Sequence, residues 1–256
     1  MLILLSNDDG VESPGLAALA DHLRDLGTVQ VVAPAHEQSA RSHAFTMHEP
    51  LRVDRRAPGW FAVSGTPADC VYVALNHLCA QRPAVLVSGI NRGTNLGDDL
   101  HYSGTVAAAR EASLSGIPAL AVSMDARPGR LDRDRHWDTA AALARHVVRL
   151  MLDNPLPPRV FLNLNCPDEP GDRLSGLHVT RVGRREYAPR VSEQKDPRGR
   201  PYYWIGGEHR GFCDEPGTDG HSFSRGHPTL SPVAVDLNPP GMVDAVAAWT
   251  LRDSPR

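Results

Sequence analysis

A chain of 256 residues suffices for one large α/β domain, or one domain with an appendage, and it needs neither disulfides nor a structural metal to form a core. A net charge of −3, with 41% hydrophobic and 22% charged residues, is the balance of a soluble globular protein, so a nucleic-acid duplex is not an expected partner. The four cysteines form no C-x-x-C pair and suit reduced thiols, and the N-terminus has no basic segment and only four apolar residues after Met1, so neither a signal peptide nor a membrane contact is expected and the location is read as cytoplasmic.

Leu2 to Leu5 is a continuous apolar run, the pattern of a strand covered on both faces. Ser13-Pro14 then reads as an N-cap followed by proline at the first helical position, and Leu16, Leu19, Leu23 and Leu26 follow at helical spacing up to Gly27. Val29 to Ala33 reads as a second strand, which completes a β-α-β unit and predicts a parallel pair. Ala44 to Val53 and Trp60 to Ser64 read as shorter extended segments in a hairpin, and Pro67 to Leu78 as a helix. The alternation continues with a strand at Ala84 to Ser88, a helix at Thr105 to Ser115 and a strand at Ala119 to Ser123. A long amphipathic helix at His136 to Leu152 and a strand at Val160 to Leu164 follow. The expected fold is therefore a Rossmann-like, doubly wound and mostly parallel sheet over residues 1–178.

After about residue 175 the periodicity fades, and Gly, Pro and Arg become frequent. Val179 to Val182 and Tyr202 to Ile205 read as strands flanking Arg184 to Arg200, an extended hairpin or arm, with a short helix at Asp244 to Leu251 near the end. Residues 179–256 are expected to be an extension of the kind that packs against a second subunit. Arg184, Arg185, Arg190, Arg198 and Arg200 fall in the arm, either as a solvated face or subunit contact or as an attraction for phosphate.

The polar clusters recur after strands. Asn7-Asp8-Asp9-Gly10 follows the first, Ser39 and Arg41 follow the second, and Gly89-Ile90-Asn91-Arg92-Gly93-Thr94-Asn95 follows the strand ending near Ser88. Loops beyond the carboxyl ends of parallel strands converge on the ligand crevice. Adjacent carboxylates at Asp8 and Asp9 repel each other unless a positive charge sits beside them, and Mg²⁺ or Mn²⁺ suits oxygen ligands. Ser39 and Asn91 offer neutral oxygens to the same ion. The plainer reading of Asp-Asp-Gly is a solvated turn. The glycines of 89–105 let backbone N–H groups approach an anion, and Ser103-Gly104-Thr105 precedes a helix whose N-terminus favours phosphate. No P-loop, dinucleotide fingerprint or G-x-S-x-G elbow occurs, and His209, Cys213 and His221 match no zinc spacing.

Taken together, these blocks resemble the SurE family, the stationary-phase survival proteins that act as 5′/3′-nucleotidases. The resemblance rests on Leu4 to Gly10, on Val31-Val32-Ala33-Pro34 with Glu37-Gln38-Ser39, and on Gly65-Thr66-Pro67-Ala68-Asp69-Cys70-Val71. It rests further on Ser88 to Gly93 through Tyr102 to Val106, and on Asn163-Leu164-Asn165 with Pro167. It implies metal ligation by Asp8, Asp9, Ser39 and Asn91, with Asp8, Asp9 and Asn91 at the reacting centre. It also implies phosphate binding at Asn95, Ser103, Gly104 and Thr105. One divalent cation per subunit (Mg²⁺ or Mn²⁺), nucleoside monophosphates as substrates, short polyphosphate for some members, and a homodimer or homotetramer are implied as well. Two departures stand out: Ser39-Ala40 where many relatives have Ser-Gly, and Pro228 to Val233 in place of the usual Val-Ser-Val-Thr-Pro.

The expected function is metal-assisted hydrolysis of nucleoside 5′- and 3′-monophosphates. Two readings from other classes use the same residues: a non-catalytic nucleotide sensor in the same crevice, and an assembly protein acting through its arginine-bearing arm.

Overall fold

The computed structural model describes residues 1–126, 129–238 and 241–250, with the side chains of 187, 189, 208–210 and 250 left undescribed. The first strand, β1 (Leu2–Ser6), is buried throughout, as a continuous apolar run requires. It leads to α1 (Pro14–Leu23), which begins with proline at its first turn; Ser13 has the extended backbone of an N-cap, but its hydroxyl makes no capping bond. β2 (Thr28–Pro34) then pairs in parallel with β1. The hairpin lies later than the sequence suggests: residues 44–52 form no strand, and β3 (Val53–Ala57) pairs antiparallel with β4 (Trp60–Val63).

The helix α2 (Pro67–Val73) starts at a capping box. Thr66 accepts from the backbone of Asp69, and the Asp69 carboxylate accepts from the backbone of Thr66. It continues into a wider turn over Ala74–Leu78. β5 (Val85–Arg92) runs four residues past the Ser88 end that its apolar run suggests, so Asn91 lies in the strand and not in the loop after it, while α3 (Gly104–Leu114), β6 (Ala119–Met124), α4 (Trp137–Asp153) and β7 (Val160–Cys166) follow near the expected places. A short helical turn, Gly97–His101, lies between β5 and α3.

Beyond β7 the chain adds β8 (His178–Val179), the arm strands β9 (Arg185–Lys195) and β10 (Pro201–Phe212), α5 (Asp219–Phe223), β11 (Thr229–Ala234) and α6 (Met242–Thr250). Leu251, expected as the end of the last helix, lies outside the described residues, as does the side chain of His209. The arm is a separate two-stranded antiparallel ribbon, with Tyr203, Trp204 and Ile205 exposed upon it. Its Arg185 pairs with Asp99, and Arg200 pairs with Asp196 within the arm.

The main sheet has nine strands in the order β3-β4-β2-β1-β5-β6-β7-β11-β8. From β4 to β7 every neighbouring pair is parallel, and β11 adds antiparallel to β7. This strand escapes sequence patterning because Pro232 interrupts it. β8 pairs with β11 only at Thr229 and Leu230, so by Pro232 the strand has a free edge, where proline is tolerated.

The sheet separates two apolar layers. On one face Ile3, Leu5, Val85, Val87 and Leu120 pack with α1 and α4; on the other Leu4, Val32, Leu86 and Ala121 pack with α2 and α3. Each fully buried leucine contributes roughly 2 kcal/mol of burial. No helix among the described residues is long and apolar enough to cross a membrane.

Candidate active site

The carboxyl end of β1 places Asp8 against the start of α3. The Thr105 hydroxyl donates to Asp8 Oδ1. A Cβ added to Gly104 would come within 2.8 Å of Asp8 Cβ and 2.9 Å of Asp8 Oδ2, so only glycine lets the helix approach this closely. Asp8 is 4% exposed, and burial pushes its carboxyl up against the opposing hydrogen bonds from Thr105. Asp9 is half-buried beside it. Burial, and then the charge of Asp8, push the Asp9 carboxyl up to about 6. Its Oδ2 accepts the backbone N–H of Arg92 at 3.0 Å.

Two further loops close on this pair. Gln38 donates its backbone N–H to the Asp8 carbonyl at 2.7 Å, which brings the Ser39 loop beside β1. The exposed Ser39 donates its hydroxyl to Glu37 Oε1 at 2.8 Å. Ala40 adopts φ +57°, the left-handed region that glycine occupies freely, so the loop keeps a glycine-like turn although the residue is alanine. Farther along, the buried Asp69 carboxylate accepts from the Thr46 N–H at 2.9 Å and from the Thr46 hydroxyl at 2.6 Å, and so pins the loop to α2.

Asn91 follows an irregularity in β5. The register with β6 shifts between Ser88 and Asn91, and Gly89 sits at φ +135°, where a Cβ would meet Val122 O at 2.2 Å. Asn91 donates its amide to Gly93 O at 2.7 Å, which leaves its side-chain oxygen as the free end.

Asn95 is buried and held on several sides. Its backbone N–H donates to Asn165 Oδ1 at 2.8 Å, and its carbonyl accepts from Asn163 and Asn165, each at 2.9 Å. Its side-chain amide donates to Ser123 Oγ at 2.7 Å, which uses one of two hydrogens. Ser103 caps α3 by accepting from Val106 N–H at 3.1 Å, and this leaves its hydroxyl hydrogen free to donate. Thr105 differs, because its hydroxyl is spent on Asp8. Its backbone N–H, like that of Gly104, is also directed at the Asp8 carboxylate.

Asp8, Asp9, Gly104 and Thr105 thus form one contact cluster, with the Gln38-Ser39 loop and the Arg92 backbone bonded to it. Asn91 lies next to Arg92 in sequence, and Asn95 is tied instead to β6 and β7. Four supporting residues carry no signal by residue type alone. Thr105 orients a carboxylate, Asn163 and Asn165 fix the Asn95 peptide, and Asp219 accepts the Gly97 N–H at 2.9 Å and the Gly183 N–H at 2.8 Å. The asparagines were visible only as part of a sequence block.

The residues fit a hard divalent cation. Two adjacent buried carboxylates are held above their ordinary range, and no basic side chain among the described residues hydrogen-bonds to either. Asn7 Oδ1, in the same turn, is buried without a donor. No cluster of three or more His, Cys, Asp or Glu is placed to hold a metal among the described residues.

The family model described as "Survival protein SurE" matches residues 3–189. A protein named 5′-nucleotidase SurE from Geobacter sulfurreducens is 48% identical over 251 residues, 98% of this chain and 94% of that one. Another of the same name from Pelobacter propionicus is 47% identical over 249 residues, covering 97% and 99%. Among solved structures, the crystal structure of the SurE protein from Aquifex aeolicus superposes with a TM-score of 0.84 at 36% identity, covering 99% of this chain and all of the other.

Proposed function

The chain belongs to the SurE family, and from that premise we propose the following reading of its chemistry. It is a nucleotidase, hydrolysing nucleoside monophosphates to nucleoside and phosphate. In the finer reading it accepts 3′- as well as 5′-monophosphates, and short polyphosphate, using one Mg²⁺ or Mn²⁺ per subunit. The observation that carries the metal dependence is the Asp8–Asp9 pair at the head of α3, Asp8 buried and Asp9 half-buried, both held above the ordinary carboxylate range despite the hydrogen bonds they accept.

Asp8 and Asp9, with the Ser39 hydroxyl and the Asn91 side-chain oxygen, would hold the cation. Bound there, the ion supplies Lewis acidity toward a phosphoryl oxygen and toward water. The free hydroxyl hydrogen of Ser103 binds a nonbridging oxygen of the phosphoryl group, and the positive end of the α3 dipole, where Gly104 and Thr105 lie, favours its negative charge. Asn95 offers its second amide hydrogen to the same group. The bonds from Asn163 and Asn165 hold its backbone in place while charge redistributes.

The assembly proposed is a homodimer or homotetramer, with residues 1–178 as the catalytic unit and 179–256 as the contact extension. Exposed Trp204 and Ile205 on the arm and Val243 and Trp249 on α6 support this reading. A cytoplasmic location is supported by four unpaired cysteines.

The test is release of inorganic phosphate from AMP with Mn²⁺ and after thorough chelation. Activity is expected to vanish on chelation and return with Mn²⁺; turnover that survives metal removal rules out the metal-dependent reading. Asp8→Asn is expected to abolish turnover while keeping the folded circular dichroism spectrum.

A further inference from the structure

A cavity of about 530 Å³ lies between α3, the Gly97–His101 turn and β11, and none of the residues assigned above to metal or phosphate binding lines it, apart from the neighbouring Gly97 turn. Its walls are mainly apolar, with Leu100, Val182, Val233 and Val235 among them, and Arg110 and Arg159 are also among its lining residues. A volume of several hundred cubic ångströms with apolar walls and a few polar groups is the form of a small-molecule site.

The cavity lining holds two arginines and two aspartates, but neither arginine forms an ion pair with either acid among the described residues. Arg110 projects from the middle of α3 and is half-buried, and among the described residues it has neither an acceptor nor an ion-pair partner. Burial alone pushes its guanidinium below its ordinary range, with no carboxylate acting against the shift. Arg159 is exposed at the cavity and holds φ +62°; its carbonyl accepts the Val235 N–H at 2.8 Å, and its side chain has no partner among the described residues. The acids that share the lining are already engaged. Asp98 Oδ2 accepts the Arg185 N–H at 3.1 Å, and Asp236 Oδ1 accepts from Asn238 at 3.1 and 3.2 Å. His43 is likewise committed, to Glu111 at 2.9 Å.

A guanidinium taken partly out of water without a counter-charge is unfavourable, and its planar fork of donors matches a carboxylate or phosphate. We propose that this cavity is a second, non-catalytic anion site, which takes a small organic anion with its phosphate or carboxylate head on Arg110 and its apolar body against Leu100, Val182 and Val233. Arg159 stands at the cavity as the second cation. Arg110 and the phosphate-facing residues share one rigid helix, so a ligand here sits on the same element that positions Thr105 against Asp8.

The probe is phenylphosphonate, which cannot be hydrolysed, titrated calorimetrically into the full chain. The Asp8→Asn variant is expected to retain one binding event, because the second site does not use the carboxylate pair. Arg110→Leu is expected to weaken that event by at least about tenfold, while phosphate release from AMP without probe stays at the parent rate. Benzoate is the second arm. Arg110-dependent benzoate binding assigns a carboxylate head, and Arg110-dependent phenylphosphonate binding alone assigns a phosphate head. Should Arg110→Leu fail to fold by circular dichroism, Arg159→Leu, at an exposed position, is expected to weaken the same event several-fold. Absence of binding in the Asp8→Asn background, or binding indifferent to both arginine substitutions, overturns the proposal.

Discussion

Thr105 gives its hydroxyl hydrogen to Asp8 Oδ1, so the first turn of α3 fixes one of the two carboxylates that end β1. The bond favours the charged form of an acid that burial otherwise pushes toward protonation. Thr105→Val removes the donor at nearly constant volume. Its expected cost is about 1–2 kcal/mol of stability together with a weaker grip on Mn²⁺, read as a rightward shift of the metal-activation curve. Thr105→Ser should restore both. A Val variant with the parent's metal curve would show that the hydroxyl has no part in holding the ion.

The Asp8–Asp9 pair also sets a pH dependence with a definite sign. Asp8 is raised, and Asp9 is raised from 3.8 to about 6, by burial and, for Asp9, by the neighbouring charge. An acid whose folded value lies above its unfolded value favours the folded state while protonated, and that contribution is lost as pH rises through the folded value. Metal-stripped protein should therefore lose this part of its stability between about pH 4 and pH 6. Mn²⁺ should raise Tm by an increment that grows across the same window, since protons compete with the ion. Metal-stripped Asp9→Asn should melt above the parent at pH 7 and below it in the presence of Mn²⁺. Thermal melts at a series of pH values, with and without chelator, decide this. An Mn²⁺ increment that shrinks as pH rises contradicts it.

How much of this was legible beforehand depended on whether the signal was local. The alternation of apolar runs and helical spacings places β1, α1, β2, β5, α3, β6, α4 and β7 because each buries a continuous stripe or face. The carboxyl ends of β1 and β5 then place Asp8, Asp9, Asn91 and Asn95 toward one edge of the sheet, although Asn91 lies inside β5 and not in the loop beyond it. β11 was missed because Pro232 argues against a strand, and only its position beside the very short β8 makes that proline harmless. A helix start suggests an anion near Thr105, but nothing local announces that its hydroxyl bonds an acid that lies 97 residues away. Ala40 shows a similar limit, because nothing in an alanine announces a left-handed turn.

Asn165 brackets the Asn95 peptide, accepting from its N–H at 2.8 Å and donating to its carbonyl at 2.9 Å. Asn165→Leu strands the buried Asn95 N–H, while the carbonyl keeps its bond from Asn163. The expected loss is about 2–4 kcal/mol, with a raised KM for AMP where folded protein remains. A parent-like KM in the folded variant would separate Asn95 from substrate binding.

Gly104→Ala makes the sharpest division between stability and activity. Alanine at a helix start is at least as favourable as glycine for the helix itself, by up to about 1 kcal/mol. The added methyl group, however, would lie 2.8 Å from Asp8 Cβ and 3.0 Å from Pro67 Cγ, so either the carboxylate or the helix must shift. Because Asp8 also carries the Thr105 bond, a shift at one atom displaces both. A misplacement of the order of 1 Å at reacting groups costs about 100-fold in rate. The variant should therefore fold with a Tm close to that of the parent and lose about two orders of magnitude in kcat. Melting curves and AMP turnover on the same preparation test this together. A variant that keeps its activity would mean that Asp8 can move without consequence, and the close approach of α3 would then be a matter of packing alone.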